Sequence, residues 1–173
     1  MKKELELRMY FLVPYNISEI QKGIQSGHAA LEYARKYGGD EEFKNFVDDY
    51  KTWIILNGGT TGSARDSNNV CHGTLDQFGD FLSDIDYKFA SFNEPDLNGA
   101  LSALSFICDE RVFNNEDYPD FETWVRNNNG QWNGIGAELV LVDHNKWLND
   151  YIDFIGGAKI YSLKSRLRNY KLA

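Results

Sequence analysis

Apolar residues alternate along Leu5, Leu7, Met9, Phe11 and Val13 and stop at Pro14, the period-two pattern of a strand. Its last part, YFLV, is apolar on both faces. The spacing then changes to three and four. From Ser18 to Tyr37 the pattern predicts a helix, opened by an S-x-x-Q capping box of Ser18 and Gln21 and closed by Gly38-Gly39. One stripe along it holds Ile20, Ile24, Leu31 and Ala34 with the small residues Gly23, Gly27 and Ala30. The other steps through Ser18, Gln21, Gln25, His28 and Glu32. Each interior glycine costs a helix roughly 1 kcal/mol relative to Ala, so the apolar, glycine-bearing stripe is expected to lie close against a sheet. The polar stripe then reads either as a solvated face or as one wall of a site, because ligands of open α/β sheets gather where strands end and helices begin.

The remaining pattern repeats this alternation. A short helix is expected over Asp40–Tyr50, with Phe43, Phe46 and Val47 inward, and a doubly covered strand over Thr52–Leu56 (TWIIL). Together with the first strand they make a βαβ unit. Asn57 to Gly73 is a long, glycine-rich polar loop, followed by a helix from a second capping box, Thr74/Gln77, to Asp86. Strands follow at Tyr87–Asn93 and Ser102–Cys108, joined through a turn at Glu94-Pro95-Asp96. Beyond Asp109, tracts rich in Asn, Asp and Gly flank a short helix at Phe121–Arg126. A strand is expected at Glu138–Val142, then a helix capped by Asp143 and stopped by Gly156-Gly157, and a last helix at Ile160–Tyr170 with Tyr161, Leu163, Leu167 and Tyr170 inward. The fold class read from this order is an α/β three-layer sandwich, a mixed four-stranded sheet with helices on both faces and a mostly helical C-terminal extension. Residues 1–113 form the α/β domain, and residues 114–173 pack on it.

Composition narrows the classes. At 173 residues and 42% hydrophobic the chain can bury a core, and no apolar run approaches the roughly 20 residues a membrane helix needs. Membrane association is therefore not expected, and without an export-type leader the expected location is cytoplasmic. A net charge of −8 argues against nonspecific coating of nucleic acid. The last fifteen residues nevertheless hold Lys159, Lys164, Arg166, Arg168 and Lys171 and no acid, read first as the solvated face of an amphipathic helix. Cys71 and Cys108 are too few and too far apart for a metal motif or disulfide framework and read as free thiols. His72 beside Cys71 lacks further spaced ligands, and the glycine-rich loop lacks phosphate-loop spacing.

Two polar segments carry the candidate chemistry: Gln21, Lys22, Gln25 and His28 on the first helix, and the turn Asn93-Glu94-Pro95-Asp96-Leu97-Asn98. Each follows a strand. If those strands are parallel neighbours, a cation, two amides, an imidazole and two carboxylates converge at one sheet edge, where a carboxylate can orient water and amides can hold a carbonyl. Taken alone, EPDLN reads as an Asx-type turn.

IQKGIQSGHAALEYARKYG, then KTWIIL, then FASFNEPDLNGALSALSF resemble the type-2 peptidyl-tRNA hydrolase family, in particular its bacterial and phage-type members, over about residues 7 to 108. The family's Q-x-x-H-A-A signature is matched by Gln25, Ser26, Gly27, His28, Ala29 and Ala30. The resemblance implies hydrolysis of the ester joining a peptide to the terminal ribose of tRNA, with no metal and no cofactor. It implies a site of Lys22, His28 and Glu94 or Asp96 as catalytic groups, with Gln21, Gln25, Asn98 and Ser102 binding substrate. Aligned without gaps, the family's lysine position falls on Gln21, one residue before Lys22. The family's threonine-bearing loop is shortened, leaving Asn98 and Ser102 as the nearest polar residues. The expected partner is tRNA or another nucleotide-containing ligand. The extension, with Trp124, Trp132 and Trp147, is a candidate surface for a second copy of the chain or a protein partner, or else docks on its own domain. The alternative to an active hydrolase is an inactive binding module on the same fold.

Overall fold

The opening alternation folds as β1 (Leu7–Pro14), nearly all of it buried, in a computed structural model that describes residues 4–62, 73–135 and 138–173. α1 (Glu19–Tyr37) follows, then α2 (Glu41–Asn45), which continues into one π-helical turn, Phe46–Tyr50. β2 (Thr52–Gly59), α3 (Thr74–Asp84), β3 (Ala90–Glu94), a 3₁₀ turn over Pro95–Leu97 and β4 (Ala100–Asp109) complete the sheet and its helices. The sheet is mixed, in the order β2-β1-β4-β3. β1 pairs with β2 in parallel, and β4 runs antiparallel to both β1 and β3. β1 and β3 therefore point the same way with β4 between them, so their C-terminal ends share one edge of the sheet without being neighbours. The chain has the α/β sandwich architecture expected of it.

Two compact units are present: Met1–Asp109 with Asn169–Ala173, and Glu110–Arg168. In the first, Tyr10, Phe78 and Phe106 stack on the α3 side of the sheet with centroids 5.8 to 5.9 Å apart. The edge of Tyr170 meets Phe78 at 5.1 Å. The tail lies along the outer edge of β2: Asn57 N–H donates to Lys171 O at 2.9 Å and Ala173 N–H to Ile55 O at 3.0 Å. The second unit holds α4 (Glu110–Phe113), α5 (Phe121–Asn127), an antiparallel pair β5 (Trp132–Ile135) and β6 (Glu138–Leu141), α6 (His144–Ile155) and α7 (Ala158–Leu167). Trp124 packs on Trp147, Tyr151 and Phe154 at 5.6 to 5.9 Å, and the Arg126 guanidinium sits 5.2 Å over Trp132. All three tryptophans of this unit thus pack within it.

Several expectations about local structure are corrected. The capping box at Ser18/Gln21 is present, but Gly38 ends α1 in ordinary right-handed conformation. Thr74 is no cap: its hydroxyl donates to Gly58 O at 2.9 Å and accepts from Thr60 N–H, tying α3 to the end of β2. Asp143 precedes α6 with a positive φ of 55° and makes no side-chain cap. Lys164 does not join a solvated face. It is buried, and its ammonium donates to Asn115 Oδ1 at 2.8 Å and Val112 O at 3.2 Å. Burial pushes its pKa down. The readings on Cys71 and His72 fall outside the described residues.

The largest correction concerns the orientation of α1. Its buried residues are Ser26, Ala29 and Tyr33, whereas Ile20 is 78%, Ile24 50% and Leu31 69% exposed. The apolar stripe faces outward and the partly polar one lies on the sheet. Close approach comes from Ser26 and Ala29, not from the glycines. Ser105 Oγ of β4 donates to Ala29 O at 2.8 Å, and Ser26 Oγ turns back on Lys22 O at 2.8 Å. A Cβ added at Gly23 or Gly27 would meet nothing within 4 Å.

Candidate functional site

With that orientation, Gln25 lies on the sheet side of α1, one helical turn before Ala29. Its amide nitrogen donates to Glu94 Oε2 at 2.8 Å, and its oxygen accepts from Ser102 Oγ at 2.9 Å. The chemistry of the partners fixes this assignment, since an ionised carboxylate can only accept. Three elements, α1, the end of β3 and the start of β4, are thereby joined by one side chain.

Ser102 reaches this position because of a bulge. Phe92 pairs with Ala103 and Asn93 with Leu101, so the register passes over Ser102. Side chains alternate along a strand, and Ser105 faces α1. In unbroken register Ser102 would therefore face α3. The extra residue turns its hydroxyl toward Gln25, the re-aiming that bulges beside sites commonly provide. The same hydroxyl lies 3.2 Å from Phe92 O. Phe92 in turn carries His28, the rings stacked at 4.5 Å and 20°. Among the described residues nothing hydrogen-bonds the His28 ring nitrogens, and Glu94 Oε1 has no protein partner.

Lys22, one turn before Gln25 and Ser26, shares their face. Only 12% of its side chain is exposed, and its ammonium is bonded to Glu19 Oε1 at 2.8 Å. The other residues singled out in the sequence do not join this group. Gln21 is spent on the cap, its Oε1 accepting from Ser18 N–H at 3.2 Å. Asp96 and Asn98 stand exposed on the hairpin turn. There Asn98 takes a positive φ of 55° and Gly99 one of 75°, closing the turn with Gly99 N–H on Glu94 O at 3.0 Å. Of the two candidate acids, the structure brings Glu94 to α1 and leaves Asp96 in solvent.

Sequence reasoning missed Phe92, Glu19 and the bulge. Glu19 was detectable as an i,i+3 partner of Lys22. Nothing in SALSF marks a bulge.

No other nucleophile or metal cluster competes within the described residues. Cys108 is fully buried, and burial pushes its thiol pKa well up, which makes it a packing residue. No three His, Cys, Asp or Glu side chains gather there in a metal-binding arrangement. No helix among them is long and apolar enough to cross a membrane. Comparison with protein-family models and with curated proteins finds no match to this chain.

Proposed function

We propose that the Met1–Asp109 unit is a peptidyl-tRNA hydrolase-type ester hydrolase, the reading implied by the resemblance over residues 7 to 108. One observation carries it: the Gln25 amide bridges the Glu94 carboxylate and the Ser102 hydroxyl at the C-terminal edge of the sheet. In this reading Gln25 holds Glu94 by one oxygen, and the other oxygen orients a water. Glu94 takes a proton from the water as the water oxygen adds to the ester carbonyl carbon; the bond to the ribose oxygen then breaks, and that oxygen leaves with the proton returned by Glu94. Lys22, released from Glu19, meets the carbonyl oxygen or a phosphate. His28, backed by Phe92, supplies a flat surface for a base or ribose.

The test is release of an N-blocked amino acid from its tRNA by the purified chain. Glu94→Gln keeps shape and hydrogen bonding but removes the charge, and is expected to lower turnover by about 100-fold, the scale of a lost general base. Asp96→Asn is expected to stay near wild type. Intact substrate, under conditions where a known hydrolase clears it, rejects the reading.

A second reading, a binding module without turnover, is favoured by the Lys22–Glu19 ion pair, which already engages the Lys22 ammonium. It predicts salt-dependent tRNA binding by a chain that leaves the ester intact.

A further inference from the structure

The two outer edges of the sheet differ. Beside β2 the tail pairs through an isolated antiparallel bridge between Leu56 and Leu172. β3, at the other end of the order β2-β1-β4-β3, pairs with β4 alone, and among the described residues no strand or bridge lies on its outer side. Which backbone groups face that side follows from its other hydrogen bonds. Phe92 O faces β4, where Ser102 Oγ reaches it at 3.2 Å, and Glu94 O faces the hairpin turn, accepting from Gly99 N–H at 3.0 Å. Backbone polar groups alternate in direction along a strand. Those of Ser91 and Asn93 therefore point outward, and both residues are exposed. Phe89 is the preceding residue in the outward row. Its carbonyl is already taken, accepting from Lys36 Nζ at 3.2 Å and Tyr37 OH at 3.3 Å. The open edge thus begins after Phe89 and ends at Glu94, the carboxylate of the site.

We propose that this edge is the subsite for the peptidyl part of the substrate, which lies along β3 as an added parallel strand; the inference rests on the hydrolase reading. Direction and register follow from Glu94. The ester is at the C-terminal end of the peptide and must lie at Glu94, so the peptide runs from Ser91 toward Glu94, the same way as β3. With the ester-bearing residue opposite Glu94, parallel pairing has that residue's N–H donate to Asn93 O. Asn93 N–H donates to the carbonyl of the third residue from the ester, whose own N–H donates to Ser91 O. Ser91 N–H reaches the carbonyl that precedes the fourth residue. The row stops there, because the following N–H would need Phe89 O. The second and fourth residues turn their amide N–H away from β3. Strand addition of this kind draws its affinity from main-chain hydrogen bonds, which suits a substrate whose peptide varies in sequence.

The full chain is assayed on N-acetylated tRNA esters carrying one, four and six alanines. kcat/KM is expected to rise by about 10-fold from one residue to four, through the hydrogen bonds added, and to stay level from four to six. In the four-residue substrate, methylating the amide nitrogen of the third residue from the ester is expected to remove much of this gain, whereas methylating that of the second keeps it. A further measurement needs no turnover. Acetyl-tetraalanine methylamide at about 5 mM is expected to shift the Ser91 and Asn93 amide resonances and slow their hydrogen exchange. The Asn57 amide, which donates to Lys171 O of the tail, is expected to stay unchanged. Equal kcat/KM for one and four residues overturns the inference and leaves ester hydrolysis standing, and so does an equal loss from methylation at the second and third residues. Unmoved Ser91 and Asn93 amides overturn it whether or not any ester is cleaved. If none is cleaved, the hydrolase reading fails separately, and the amide resonances alone decide whether the edge takes a peptide.

Discussion

Gln25 uses both ends of its one amide, and this makes it the residue on which the site depends most. Replacing it leaves Glu94 without its side-chain partner and Ser102 with Phe92 O alone, whereas Gln21, four residues earlier on the same stripe, is spent on the capping box. The difference arises from the turn each occupies, since Gln21 is within reach of the orphan donors at the helix start and Gln25 is within reach of β3 and β4. Another residue prediction concerns Glu42. Burial, opposed by Lys88 and reinforced by Asp109 and Asp40, pushes its pKa above the ordinary value of 4.5. The folded state therefore resists ionising this group. The penalty is present at neutral pH, where the unfolded chain carries the charge freely, and disappears as pH falls below about 4.5. Glu42→Gln is thus expected to raise the melting temperature at neutral pH, with the gain vanishing in acid. A gain independent of pH would contradict this account of Glu42.

At the scale of elements, α1 shows what was legible and what was not. Its limits and its capping box followed from spacing. Its rotation did not. Hydrophobic patterning assigns the apolar stripe to the core, yet Ser26 and Ala29 are the residues narrow enough to let the helix approach Ser105 on β4. The polar Lys22 and Gln25 go with them because they share that face. Periodicity reports only that two faces differ, and which one the sheet takes depends on the strands opposite. The bulge at Ser102 is illegible for a related reason, being a property of pairing between two strands. The cap is local and its energy transferable: Ser18→Ala is expected to cost about 1 kcal/mol in denaturant unfolding, and a loss within error would mean that the capping box contributes nothing.

For the whole molecule, the order β2-β1-β4-β3 decides where the chemistry can be. β4 runs against its neighbours, so the start of β4 joins the ends of β1 and β3 at one edge, bringing Ser102, the entrance to α1 and Glu94 together. The sequence reading reached that edge by assuming adjacent parallel strands. The strands are parallel but separated, and the separating strand supplies a site residue. The tail completes the same sheet on its far side. Removing residues 171–173 takes away the acceptor for Asn57 N–H and the donor to Ile55 O. The expected cost is about 1–3 kcal/mol for two hydrogen bonds, with rapid hydrogen exchange at the Asn57 amide. Continued protection of that amide in the truncated chain would show that the tail does not guard β2.

The central claim is that Glu94, held by Gln25, serves ester hydrolysis. The most direct measurement compares wild type, Glu94→Gln and Asp96→Asn for release of an N-blocked amino acid from tRNA, each at matched folding. The account predicts turnover in wild type and Asp96→Asn and about a 100-fold loss in Glu94→Gln. No turnover in wild type, or equal turnover in all three, would contradict it.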